Sequence, residues 1–293
     1  MSMTNIAEIT SALKKQVEKV VPAEILPPPA PMSWGWQHLG INSEGEVLQA
    51  YPRSPYDKGC ASCVDFGGYI ERASIVDGRH YTALEKCPHC KALTDKVDRI
   101  NRARLPSKFA AETLDWSEIR LASRKSPEVE FVGWVESFVE ARKGPSMALL
   151  GPTGRGKSFT AYTLSKYALD SGIDARWLHW PTFLESIKST YGNGKLRPEQ
   201  VWELNLPTRG ILVVDDLGAG VVTDWSRQIA WTLFERKPVG VTFIVTSNGH
   251  PTAEGAGSLD DMIGERAASR LFGTCGRGKT VYQLIGADKR RKG

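Results

Sequence analysis

The chain has 293 residues, 41% hydrophobic and 24% charged, and its 38 basic and 33 acidic side chains leave a net charge of +5. No apolar run approaches the ~20 residues that span a bilayer as a helix, and the N-terminus lacks the apolar core of a secretory signal, so we expect a cytoplasmic protein. The length suits two domains, and so mild a charge permits nucleic-acid binding without demanding it. Residues 4–21 place Ile6, Ile9, Leu13, Val17 and Val20 at helical spacing. Five prolines between Pro22 and Pro31 then forbid a helix and read as an extended linker. A short helix on such a tether either packs back on the next domain or docks on a partner. We take residues 1–32 as this helix and linker.

Residues 33–97 form the next unit. Cys60/Cys63 and Cys87/Cys90 are two C-x-x-C pairs, and in a cytoplasmic protein such pairs suggest metal rather than disulfides. Four thiolates from two compact turns suit tetrahedral Zn²⁺, and four protein ligands close the site, so the metal is structural. Gly68–Ala73 and Arg79–Leu84 alternate like the strands of a hairpin, with Asp77-Gly78 as its turn. This is a zinc-ribbon-like reading, with His80 and His89 as bystanders. Its task is recognition of a protein or of nucleic acid, and Trp34, Trp36, Tyr51 and Tyr56 either stack bases or fill a small core. Cys275 stands alone and reads as a buried small side chain.

Residues 98–145 are a helical lead-in. Residues 91–108 read as a charged helix ended by Leu105-Pro106, Phe109–Ile119 as a short apolar-patterned stretch, and 128–142 as a helix with Phe131, Trp134, Val135, Phe138 and Val139 on one face. From 146 to 293 strands and helices alternate. Strands are expected at 147–150, 175–179, 210–215, 241–246 and 280–285. Helices are expected at 157–169, 181–191, 225–236 and 261–271, with an exposed loop from Gly192. The wholly apolar strands imply an α/β fold with a parallel sheet covered by helices on both faces. Trp177, His179 and Trp180 read as core and rim of the second strand.

The first strand runs into Gly151-Pro152-Thr153-Gly154-Arg155-Gly156-Lys157-Ser158, which fits G-x-x-x-x-G-K-[ST] at every fixed position in the strand–loop–helix context that the motif needs. Glycines let the backbone curl so that its N–H groups face phosphate oxygens, and the helix N-terminus adds partial positive charge. Lys157 can reach the β- and γ-phosphates of ATP, and the Ser158 hydroxyl can ligate Mg²⁺. The apolar strand Ile211–Val214 ends in Asp215-Asp216. Asp215 is placed to hold the Mg²⁺ shell and Asp216 to orient or activate an attacking water. Asn248, ending the next strand on the same sheet edge, can position that water. Arg266 and Arg270 share one helix face at i, i+4. They are either a solvated surface or, in an oligomer, arginines presented to a neighbour's γ-phosphate.

These residues carry a resemblance. The order GPTGRGKS, ILVVDDLG, VTSN and GERAASRLFG, with the lead-in Ala103–Phe109 and Thr113-Leu114-Asp115, resembles the AAA+ P-loop ATPases of the DnaC/DnaI helicase-loader and IstB group over residues 100–290. The resemblance implies an ATPase in which Asn248 is sensor 1 and Arg270 the arginine finger with Arg266 beside it. It also implies a homo-oligomer with ATP sites between subunits, a replicative DNA helicase as partner, and loading onto single-stranded DNA. Asp216 stands where most AAA+ proteins carry Glu, which suits this branch. A zinc unit ahead of the ATPase is similar to DnaI-type loaders. The alternative within the group is an IstB-like helper that assembles on DNA and recruits a transposase. Two other classes are an ATP-held switch with negligible turnover and a small-molecule kinase, the latter disfavoured because no lid follows the site.

Overall fold

The computed structural model describes residues 41–42, 45–46, 69–76, 79–88, 91–110, 112–191, 196–251 and 257–288. The expected helix 4–21, the Pro-rich linker, the aromatic residues Trp34, Trp36, Tyr51 and Tyr56, His89, three of the paired cysteines (Cys60, Cys63 and Cys90), residues 192–195 at the start of the expected loop and the basic stretch Lys289–Lys292 lie outside the described residues. In chain order, the short strands β1 (Ile41–Asn42) and β2 (Gly45–Glu46) precede an antiparallel hairpin of β3 (Tyr69–Val76) and β4 (Arg79–Lys86). Val76 pairs with Arg79 and Tyr69 with Lys86, so the register leaves Asp77-Gly78 between the strands, where the sequence signal for a turn stands.

Helix α1 (Lys91–Ala103) follows, then strand β5 (Arg120–Leu121) and helix α2 (Pro127–Ala141). Helix α2 starts where expected because Ser126 accepts the Val129 N–H and Pro127 supplies a preset φ in the first turn. The alternating half consists of β6 (Met147–Leu150), α3 (Lys157–Asp170), β7 (Ala175–His179), α4 (Trp180–Lys188), α5 (Pro198–Asn205), β8 (Gly210–Asp215), α6 (Asp224–Glu235), β9 (Val241–Ser247), α7 (Leu259–Ile263), α8 (Glu265–Thr274) and β10 (Val281–Ile285).

These strands form one sheet in the order β5-β10-β6-β9-β8-β7. From β10 to β7 all neighbours are parallel, as the apolar runs predict. Successive side chains go to opposite faces: Met147, Leu149, Ile211 and Val213 join one core, and Ala148, Leu150, Leu212 and Val214 the other. Burial on both faces is what permits strands with no polar alternation.

Four features differ from the sequence-based expectation. The sheet is mixed rather than wholly parallel, because β5 pairs antiparallel with β10 through Leu121 and Leu284. Helix α5 arises within the stretch read as loop; Pro198 opens it and the Gln200 side chain accepts the Arg197 N–H at 2.9 Å. The helix expected at 261–271 is two helices, broken at Gly264, whose φ of 87° and ψ of 142° no helix contains. The boundary drawn at residue 97 falls inside α1, whose Val97, Ile100 and Ala103 are buried. Ion pairs hold this helix on two sides. Lys86 pairs with Asp95 and, at 2.7 Å, with Asp98; Lys96 reaches Asp170 at 2.6 Å at the end of α3. Asp174, just before β7, gathers Arg99, Arg102 and Arg209.

Candidate functional site

The C-terminal ends of β6, β8 and β9 and the N-terminus of α3 converge on one cleft of about 430 Å³, lined by Phe109, Glu112, Thr153–Phe159, Asp216 and Asn248. The loop from Gly151 to Gly156 forms its floor. Gly151 (φ 130°) and Gly154 (φ 78°) take backbone conformations that favour glycine. Gly151 is also required by its surroundings, since an added Cβ would lie 2.3 Å from the carbonyl oxygen of Leu284 on β10; at Gly154 only the movable Asp288 carboxylate lies in the way.

Lys157 Nζ donates to the carbonyl oxygens of Gly151 at 2.7 Å and Pro152 at 2.9 Å, and to Asn248 Oδ1 at 2.9 Å. The Asn248 amide therefore accepts from the lysine with its oxygen and keeps its N–H donors for another partner. Asp215 is buried and hydrogen-bonded by the side chains of Ser158 and Thr246, the latter at 2.7 Å. Burial, reinforced by the neighbouring Asp216 charge, pushes the Asp215 carboxyl above its ordinary range despite these donors. A cation beside it would reverse that penalty. The Thr246 hydroxyl also accepts the Asp216 N–H at 2.9 Å, so one side chain fixes both acids.

Asp216 stands in the left-handed region with φ 56°, uncommon for a side-chain-bearing residue and a feature that clusters at functional sites. Its carboxylate faces the His179 imidazole, with Oδ2 3.8 Å from Nε2. That imidazole holds the Asp216 carboxyl below the usual carboxylate range, against burial and with help from Lys157 and Lys108. The other ring nitrogen of His179, Nδ1, lies 2.9 Å from the Thr182 hydroxyl. The cleft wall comes from the lead-in and α3: the Phe109 and Phe159 rings stack at 5.2 Å, and Lys108 Nζ lies 4.9 Å over Phe109.

The geometry thus brings together Gly151, Pro152, Thr153, Gly154, Arg155, Gly156, Lys157, Ser158, Asp215, Asp216 and Asn248. It adds His179, Thr246 and Phe109, whose contributions the sequence reading missed. A polar residue closing an apolar strand on the same edge as Asp215-Asp216 was the available signal for His179, which pairs in register with Asp215. Arg266 and Arg270 do not line this cleft. They line a separate surface cleft with Trp231, and Arg270 is ion-paired with Glu235 of α6. Cys87 is buried directly after β4, and His80 is exposed. Among the described residues no group of three or more His, Cys, Asp or Glu side chains could hold a metal ion, and the four-cysteine set extends beyond them. Cys275 is buried, as expected, and burial pushes its thiol up to about 12.

A curled glycine loop at a helix N-terminus, a buried acid bonded to the serine that follows the loop lysine, and a parallel sheet presenting both define an α/β P-loop nucleotide-binding protein of the AAA+ type. The residues fit a nucleoside triphosphate with magnesium. Lys157 puts a cation at the floor of the cleft, and among the described residues Asp215 makes no ion pair while Nε and Nη1 of Arg155 are shut off from solvent without a hydrogen-bond partner. Residues 89–281 match the model of the IstB-like ATP binding protein family, and the chain belongs to that family. An ATP-binding protein of insertion sequence IS1162 from Pseudomonas fluorescens is 24% identical over 161 residues, 55% of this chain and 68% of that protein. Among solved structures, the DnaC helicase loader is similar at 20% identity over 52% of this chain and 86% of that one, with a TM-score of 0.41. A primosome component from Streptococcus pyogenes serotype M3 is similar at 23% identity over 64% of this chain and 95% of that one, with a TM-score of 0.42. Among the described residues no helix is long and apolar enough to cross a membrane.

Proposed function

We propose that this protein is a Mg²⁺-dependent ATPase that places a partner enzyme on DNA. The observation that carries the reading is one cleft holding Lys157 bonded to Asn248, Ser158 bonded to Asp215, and Asp216 at its edge. Ser158 and Asp215 would hold Mg²⁺, which supplies charge neutralisation to the phosphates when bound. Lys157 adds fixed positive charge, Asp216 accepts the proton of the attacking water, and the Asn248 amide orients that water through its remaining donors. Asp216, held below its ordinary 3.8, is ionised at neutral pH and can accept a hydrogen bond from the attacking water.

Arg266 and Arg270 belong to the same reading as donors to a neighbouring subunit's nucleotide in a homo-oligomer. Arg270 would exchange Glu235 for phosphate when subunits meet. The four cysteines Cys60, Cys63, Cys87 and Cys90 belong to it as a structural Zn²⁺ site for partner recognition. The partner reading from the sequence is a replicative helicase, loaded on single-stranded DNA. The insertion-sequence relative favours a second reading, a transposase recruited to DNA.

Phosphate release by wild type and Asp216→Asn, with Mg²⁺ and with single- or double-stranded DNA, tests the enzyme. We expect the variant to lose about 100-fold or more in turnover. Equal, negligible rates would leave ATP as a bound switch. Capture of a hexameric helicase by the full chain supports loading, and capture of an integrase-type transposase supports transposition.

A further inference from the structure

Lys157 and Arg155 are two cations on one loop, and they differ in what they are bonded to. The three ammonium protons of Lys157 meet three protein acceptors, as described above. Arg155 makes no hydrogen bond or ion pair among the described residues, and its Nε and Nη1 are closed to solvent. A guanidinium cannot shed its charge to escape this situation. Burying such donors without acceptors is costly, and a buried unsatisfied group in a folded protein calls for an explanation. Two carboxylates line the same cleft, Glu112 and Asp216, and that of Asp288 lies against the neighbouring Gly154, yet among the described residues none of the three is bonded to Arg155. The loop thus carries a charged donor group left uncommitted in the ligand-free protein, beside a cleft shaped for an anion.

We propose that the Arg155 side chain is a phosphate ligand of the nucleotide, distinct from the backbone cradle around it. Its partner is the polyphosphate chain, an anion rich in acceptors that matches a planar guanidinium. Lys157 is then the pre-bonded cation that fixes the loop and holds Asn248, and Arg155 is the cation whose bonds form on binding. This inference rests on the ATP reading of the cleft.

The test titrates full-length protein with ATP, ADP and adenosine in the presence of Mg²⁺, for wild type, Arg155→Met, Arg155→Gln and Arg155→Lys. Melting of the nucleotide-free proteins is measured alongside. Removing the guanidinium should weaken ATP and ADP by about 10- to 100-fold, as loss of a charge-assisted hydrogen bond does. Adenosine binding should stay within about threefold, since it carries no phosphate, and Arg155→Lys should recover part of the loss. The nucleotide-free Met and Gln variants should melt at or above the wild-type temperature, because two buried donors without acceptors have been removed. Unchanged ATP and ADP affinity, an equal loss for adenosine, or lowered nucleotide-free melting in both Met and Gln variants would each assign Arg155 to the frame of the domain and overturn the inference. A folded wild type that binds neither ATP nor ADP would instead overturn the ATP reading itself.

Discussion

The sheet that carries the nucleotide cleft and the helix that joins it to the N-terminal hairpin are held by different forces. Strands β6 and β9 are buried along their whole length between two apolar cores, and β8 from Ile211 onward, with Leu149, Leu212, Ile244 and Phe243 fully enclosed. Helix α1 buries Val97, Ile100 and Ala103, but around that stripe it is fastened by partly exposed ion pairs to Lys86, Asp170 and Asp174. Apolar burial is insensitive to ionic strength, while exposed pairs are screened and individually worth about 0–1 kcal/mol. The nucleotide-binding end is therefore built to keep its shape across solution conditions. The joint toward the N-terminal region is built so that charge can loosen it.

The largest expected effect comes from breaking the sheet. Phe243→Ala removes a fully buried ring that meets Phe234 edge-on at 5.2 Å, and should cost about 3–5 kcal/mol in chemical denaturation. The loss should be the same at low and high salt. Asp215→Asn sharpens the same side of the comparison. The folded-state value of Asp215 is raised above the ordinary 3.8, so this group favours the fold below 3.8, and that contribution is lost as pH rises through the raised value. The variant should thus melt higher than wild type at neutral pH without Mg²⁺, lose this pH slope, and no longer gain stability from Mg²⁺ with ATP. A variant that melts lower without ligand would mean that the buried carboxylate is structural.

At the joint the effects are smaller. Asp174→Asn deprives Arg99, Arg102 and Arg209 of a shared carboxylate, and should cost about 1 kcal/mol at low salt, shrinking as salt rises. Hydrogen exchange should quicken in α1 and stay unchanged in β8 and β9; equal quickening in both would erase the distinction between the regions. The smallest effect is acid loosening of the hairpin from α1. The Lys86 ammonium holds Asp95 below its ordinary 3.8, so their bond contributes above pH 3.8 and is lost as pH falls through the lowered value. Lys86 is in turn raised above 10.5, so it contributes below 10.5 and fails as pH climbs beyond the raised value. Protection of α1 against exchange, taken relative to the intrinsic rate at each pH, should fall at both extremes, and a Lys86→Met variant should show neither limb.

The same contrast explains which parts were legible from residues alone. The central strands and the phosphate loop announce themselves locally: Met147–Leu150 and Ile211–Val214 have one stable fate, burial on both faces, and the glycine spacing from 151 to 156 has a direct reading in backbone freedom. Strand β5 is two residues long and exists because β10 offers Leu284 and Ile285 as partners, which no local pattern in Arg120-Leu121 records. Helix α5 is short, lies beyond a glycine-rich loop, and depends on Val201 and Trp202 finding the core that Phe183 also fills. His179 looked like strand rim because its relation to Asp216 is set by the alignment of β7 with β8, a tertiary property. The Arg270–Glu235 pair was invisible for the same reason: its members lie on different helices. Arg155 stood in plain view inside the motif, but its lack of a partner is a property of the fold.

The position of β6 has a consequence for biogenesis. Ala148 pairs with Val245 on one side and Val281 on the other, and the loop that follows β6 is backed by Leu284. During synthesis the ribosome releases the phosphate loop long before either neighbouring strand, and the strand that backs the loop emerges last. Until β9 emerges β6 has no partner in the parallel sheet, and until β10 emerges the loop has no wall to curl against. A stalled nascent chain that stops short of β10 should carry every residue of the nucleotide motif and still be unable to retain ATP.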